Sequence, residues 1–131
     1  MLIWRYGILA TLAAAILNAA LWGLARALGV SLQVQPPGQP VAVVGLPQVI
    51  LLTVIPLLVG TAFYTLLRRW TRRPFLTFLI LALLIFVILL IPPFAATERA
   101  GTRFVLILMH LVATTALLAG LYRAEVRRAR P

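Results

Sequence analysis

The chain contains no cysteine, no lysine and no aspartate, and it has one histidine and two acidic residues. Each absence removes a chemistry. Without cysteine there is no disulfide, thiolate metal site, iron–sulfur ligation or thiol nucleophile. No paired carboxylates stand ready for acid–base work, and no nucleophile with a base, phosphate loop or metal cluster can be read. The chain is therefore expected not to be an enzyme. A haem held by two histidines needs a second axial ligand beside His110. That ligand would have to come from a second copy, from Met1 or from Met109, and Met109 adjoins His110 on a different helix face. No cofactor is required by the sequence.

What is present is apolar. Of 131 residues, 63% are hydrophobic, with a mean hydropathy of +1.09. A soluble fold this small cannot bury so much apolar surface, whereas a bilayer solvates it. A helix needs about 20 apolar residues to cross the roughly 30 Å hydrocarbon layer. Tyr6 to Ala25, Pro74 to Thr97 and Phe104 to Tyr122 are uncharged. So is Ala27 to Leu67, whose second part, from about Pro47, can span.

The sequence therefore predicts an all-α membrane protein, a single antiparallel bundle of four transmembrane helices over 2–28, 47–67, 75–95 and 103–123. Arg5 and Ala25-Arg26-Ala27 outline a weak signal peptide, but the uncharged run exceeds the usual signal core, so the first span is read as a retained helix. Pro47 and Pro74 suit helix starts, because an N–H is unneeded there. Pro92-Pro93 should end the third helix or bend its last turn. Pro56 lies inside the second helix and frees a carbonyl that Thr53 is expected to help satisfy. In the outer loop 29–46, Val30-Ser31-Leu32-Gln33-Val34 alternates like a short extended segment, and Pro36-Pro37-Gly38-Gln39-Pro40 reads as a turn.

All the basic residues are arginines, and the net charge is +10. Their placement at span ends points to topology and anionic headgroups rather than nucleic acid. Arg5, Arg68, Arg69, Arg72, Arg73, Arg123, Arg127, Arg128 and Arg130 fall on one side; Arg26, Arg99 and Arg103 fall on the other. The excess of nine over three predicts cytoplasmic N and C termini. Trp4, Tyr6, Trp70 and Tyr122 fall at the same inner interface, and Trp22 near the outer one.

His110 is the one ionisable group expected well inside a span. It lies about 10 Å below Arg103, and Asn18 about 12 Å below Arg26, at about 1.5 Å per residue. Thr53 falls at a comparable level, with Thr114 one turn from His110. These residues predict a polar layer in which Asn18 and His110 face inward near each other. One reading is interhelical glue, worth about 0.6–2 kcal/mol per contact. The others are a ligand, quinone or pigment contact through His110 and Asn18, and a proton-coupled role.

Small residues recur at Ala15, Ala19 and Gly23 on the first helix, and at Ala116 and Gly120 on the fourth. Such stripes let helices approach closely, within the bundle or toward a partner. The outer charges Arg26, Glu98, Arg99 and Arg103 could join through a salt bridge from Glu98 to Arg26 or Arg103, or form an anion or partner site.

Leu24 to Val30, the Arg68–Pro74 loop, Phe94-Ala95-Ala96-Thr97, Leu108-Met109-His110-Leu111-Val112 and Gly120-Leu121 together resemble an uncharacterised bacterial family of small four-helix integral membrane proteins, a domain of unknown function. The resemblance covers nearly the whole chain. It implies a four-span bundle and brings no activity, substrate or cofactor. The expected role is a non-catalytic accessory subunit in the bacterial inner membrane, contacting lipid and other subunits or copies of itself, as in a respiratory or photosynthetic assembly. The alternative is a small oligomeric transporter or ligand-binding protein built on the Asn18/His110 layer.

Overall fold

The computed structural model describes residues 1–129. The elements are α1 (Leu2–Ala27), β1 (Gln33–Val34), β2 (Ala42–Val43), α2 (Leu46–Trp70), α3 (Pro74–Leu89), α4 (Ile91–Ala96) and α5 (Ala100–Ala129). Four segments are long and apolar enough to cross a membrane: Leu2–Ala27, Leu46–Trp70, Pro74–Ala96 and Ala100–Ala129.

Local chemistry explains most boundaries. Gly45, extended, precedes α2, and Pro47 sits in its first turn. Pro74 opens α3 in the same way. Both use proline where a helix needs no donor. α2 stops at Trp70, and Thr71 turns extended before the arginines and Pro74. The third span is broken rather than ended. α3 finishes at Leu89 and a six-residue α4 resumes with Pro92-Pro93 in its first turn. Two residues without N–H groups cannot bond the carbonyls one turn earlier, but they fit the start of a new helix. Pro56 leaves α2 continuous.

α5 departs most from the sequence expectation, extending from Ala100 to Ala129 instead of 103–123. At about 1.5 Å per residue it is about 45 Å long, well beyond the roughly 30 Å hydrocarbon layer. The arginines that bounded the expected span, Arg103 and Arg123, lie within the helix and do not end it. Leu117, Gly120, Leu121 and Ala124 stay buried at helical spacing, so packing carries the helix past Tyr122.

α1 is the central packing partner, lying along both α2 and α5, while α3 touches α2 and α5 more sparsely. Its buried face is Ile3, Gly7, Ala10, Thr11, Ala14 and Asn18. A Cβ on Gly7 would collide with the Thr61 side chain of α2. One on Gly120 would lie 2.8 Å from the Ala10 Cβ and 2.9 Å from the Tyr6 carbonyl oxygen. These two glycines set the helix separations. The seam on α1 therefore differs from the Ala15/Ala19/Gly23 stripe: Ala15 and Ala19 are half-buried, and Gly23 is exposed with nothing within 4 Å of a Cβ.

Two apolar clusters result. The first gathers Ile3, Ala14, Leu57, Tyr64, Leu67, Phe78, Leu117, Leu121 and Ala124. Tyr64 and Phe78 meet edge to face, with centroids 5.2 Å apart. The second, under the long loop, joins Ala25, Leu32, Val44, Val49, Val105 and Met109.

The loop is ordered on that second cluster. β1 and β2 pair antiparallel, Gln33 with Val43 and Val34 with Ala42. Gly38 takes the positive φ that the turn between them requires. Leu32 also has positive φ, 50°, and its side chain is fully buried. A left-handed leucine costs roughly 1–2 kcal/mol, and burying its side chain contributes about 1.5–3 kcal/mol in return.

Candidate functional site

Most polar side chains in the spans turn back onto their own helix. Thr11 donates to the Gly7 carbonyl at 2.8 Å, Thr53 to Val49 at 2.8 Å, Thr61 to Leu57 at 2.9 Å and Thr65 to Thr61 at 2.9 Å. In hydrocarbon, the carbonyl four residues back is the nearest acceptor, and its second lone pair is free. His110 follows the same pattern: its Nδ1 lies 2.7 Å from the Leu106 carbonyl oxygen, which makes Nδ1 the protonated donor.

Asn18 is the exception and defines a polar layer toward the hairpin end of the bundle. Its amide Nδ2 donates to Thr53 Oγ1 on α2 at 3.0 Å and to the Met109 carbonyl of α5 at 3.3 Å. One side chain thus links three helices. Asn18 and Thr53 are 2% and 4% exposed, and Asn18 Oδ1 has no donor. The structure brings Asn18 and Thr53 together. It does not join His110 to Asn18 by a hydrogen bond: the Asn18 contact on α5 is the main chain of Met109, and the imidazole is anchored to Leu106. Thr114 is half-buried and enters no side-chain bond with this layer. The Thr53 hydroxyl serves Val49, not the carbonyl freed by Pro56.

A second polar layer lies at the other end of the bundle. Tyr64, fully buried, donates to Glu125 Oε1 at 2.7 Å. Arg68 Nε lies 2.9 Å from the same oxygen as an ion pair, without the alignment of a hydrogen bond. This cluster couples α2 to α5. Sequence reading missed it because Glu125 sits beyond the apolar run, among arginines. The helical spacing of Leu117, Leu121, Ala124 and Glu125 was the available signal.

The charges at the hairpin end, Arg26, Glu98, Arg99 and Arg103, are used differently from the expectation. Among the described residues, Glu98 makes no ion pair; the one such pair is Arg68–Glu125. Arg26 lies over the Trp22 ring at 5.8 Å, and Arg103 over Phe94 at 4.8 Å. Arg103 also donates to the Thr97 carbonyl at 2.7 Å, and Arg99 to Ser31 Oγ at 3.1 Å. Backbone and ring acceptors that the chain folds over the helix ends replace the lone acid. Gln35 N to Ala96 O, 2.6 Å, and Trp22 Nε1 to Val44 O, 2.9 Å, complete the fastening of the loop.

Two surface depressions line the α1/α5 seam. One is wholly apolar, about 300 Å³, between Leu17, Ala20, Leu21, Leu24, Leu108 and Val112. The other, about 330 Å³, is lined by Tyr6, Tyr122, Arg123, Val126 and Arg127. Neither includes Asn18 or His110. Among the described residues no three histidine or acidic side chains gather as a metal site. Arg69, Arg72, Arg73, Arg127 and Arg128 are exposed, and Arg130 lies outside the described residues.

No curated protein and no solved structure matches this chain. A family model does, over residues 2–127, nearly the whole four-span fold just described. The chain belongs to that family, the Family of unknown function DUF6069, and is a protein of membrane-spanning helices.

Proposed function

We propose that this protein is a non-catalytic, multi-pass subunit of the bacterial inner membrane, accessory to a larger membrane assembly. The observation that carries the reading is how the polar groups of the spans are used. They bond to main-chain carbonyls or link helices, and the two depressions reach neither Asn18 nor His110. That is the pattern of interhelical glue. In the third span only 6% of the most apolar stretch is buried, against 28% in each of the others. That helix offers the broadest apolar wall to lipid or to a neighbouring subunit.

The same reading holds that the helices form an antiparallel bundle with both termini in the cytoplasm. Contact order supports it: Gly7 lies by Thr61 and Asn18 by Thr53, so numbers rise along α1 as they fall along α2. The arginine excess beside the termini supports the orientation. Because the chain lacks cysteine, single cysteines placed at Arg72 or Gly38 can be labelled in intact cells without background. Labelling at Gly38 and protection at Arg72 is expected; the reverse would invert the topology.

The role itself is tested by isolating the tagged protein in mild detergent, with mass spectrometry for proteins and absorbance for cofactors. A stoichiometric complex supports the accessory role. A homo-oligomer alone moves the weight to a ligand-binding or transport function, which the unpartnered Asn18 Oδ1 favours. In that case His110→Ala should abolish binding or flux while the bundle stays assembled; mere loss of stability returns the histidine to glue.

A further inference from the structure

The cleft of Tyr6, Tyr122, Arg123, Val126 and Arg127 has a chemistry that the bundle itself does not use. Arg123 and Arg127 stand one turn apart on α5, so their guanidinium groups share a face. Like charges at that spacing repel, and among the described residues neither has an acidic partner. The nearby acid, Glu125, is turned toward α2 and engaged by Tyr64 and Arg68. Two phenols complete the wall. Gly120 draws the main chain of Tyr6 against α5, three residues before Arg123. Tyr122 is held by Phe75, with ring centroids 5.3 Å apart. The cleft thus offers two cations and two hydroxyls beside apolar spans, at the depth where aromatic side chains mark a membrane interface. Its volume, about 330 Å³, falls at the low end of the roughly 300–1,000 Å³ typical of small-ligand sites.

We propose that this cleft seats the phosphodiester headgroup of an anionic phospholipid, with Arg123 and Arg127 bonding the phosphate oxygens and the acyl chains lying along the bundle. Arginine suits this role because its planar fork matches phosphate geometry. The inference rests on the membrane reading above, but not on which side the arginines face, so the cysteine labelling can fail while this site stands.

The test is native mass spectrometry of the full chain released from micelles containing phosphatidylglycerol or phosphatidylcholine. Wild type should retain phosphatidylglycerol preferentially. R123Q/R127Q, at exposed positions that leave the core intact, should lower that retention by about tenfold, given the strength of basic residues for anionic headgroups. R72Q/R73Q removes the same charge from the α2–α3 turn, which does not line the cleft, and should lower it clearly less than R123Q/R127Q does. Equal loss in both variants means diffuse attraction and overturns the site. Displacement of the lipid by millimolar inorganic phosphate means a soluble anion is the ligand and overturns the lipid assignment.

Discussion

The two polar layers of this bundle solve the same problem by different means. The layer at the hairpin end is neutral and buried: Asn18 links α1 to Thr53 of α2 and to the Met109 main chain of α5. The layer at the end of the two termini is charged and lies at the bundle edge: Glu125 receives Tyr64 and Arg68 on one oxygen, with Arg68 and Glu125 side chains 23% and 25% exposed. Deep in hydrocarbon, a carboxylate would be costly to bury, so an amide that donates to a hydroxyl and a carbonyl is the affordable link. Near the headgroups, water and arginine stabilise a carboxylate. Burial, more than helix identity, separates the two: the amide is nearly fully enclosed, whereas the carboxylate keeps a quarter of its side chain exposed.

That comparison can be broken at several points, and unfolding in detergent–SDS mixtures followed by tryptophan fluorescence reads each one. The largest effect is expected where neither layer acts alone. Gly120→Leu drives a side chain into the main chain of Tyr6 and should cost about 2–3 kcal/mol, the scale of core overpacking. Gly23→Leu, at an exposed position with open space around it, should be close to neutral. If the two variants behave alike, close packing at Gly120 is not what holds α1 to α5.

Next comes Glu125→Ala, which strands the buried Tyr64 hydroxyl and should cost about 2 kcal/mol. Tyr64→Phe removes that hydroxyl while leaving the Arg68 pair, and about 1 kcal/mol is expected. A Tyr64→Phe loss as large as that of Glu125→Ala would mean that the phenol, not the stranded partner, carries the charged layer.

The smallest effect should belong to Asn18→Leu. It removes interhelical bonds worth about 0.6–1.7 kcal/mol, but it also removes an amide oxygen without a donor. The net change should stay below about 1 kcal/mol, since Thr53 keeps its bond to Val49. A loss near 3 kcal/mol would show that Asn18 Oδ1 is engaged in the membrane by water or a ligand.

Much of the architecture was legible in the residues. The apolar runs located four membrane-spanning segments, and the prolines at positions 47 and 74 marked helix starts, because burial of the backbone in hydrocarbon leaves the helix as the one open-chain solution. The level of Asn18 and Thr53 followed from rise per residue alone. The partner of Asn18 did not. Rise fixes depth, but rotation about the helix axis depends on which faces pack, and that placed the Met109 carbonyl, not the imidazole, against the amide. The small-residue stripe left the α1 seam open for the same reason: alanine is frequent on several faces, and following Asn18 back through Ala14 and Ala10 to Gly7 marks the buried one.

By itself, then, the sequence determined the solvent, the number of membrane-spanning segments and the shared level of Asn18 and Thr53. These depend on hydropathy and on a fixed rise, both local quantities. Only the tertiary structure decided that Glu125 closes a polar layer with Tyr64 and Arg68, that the loop 29–46 forms a hairpin packed through Leu32 and Val44, and that Glu98 is bypassed by the arginines around it. Those outcomes turn on which helix faces meet across gaps as small as those at Gly7 and Gly120, and no run of residues along one helix encodes that meeting alone.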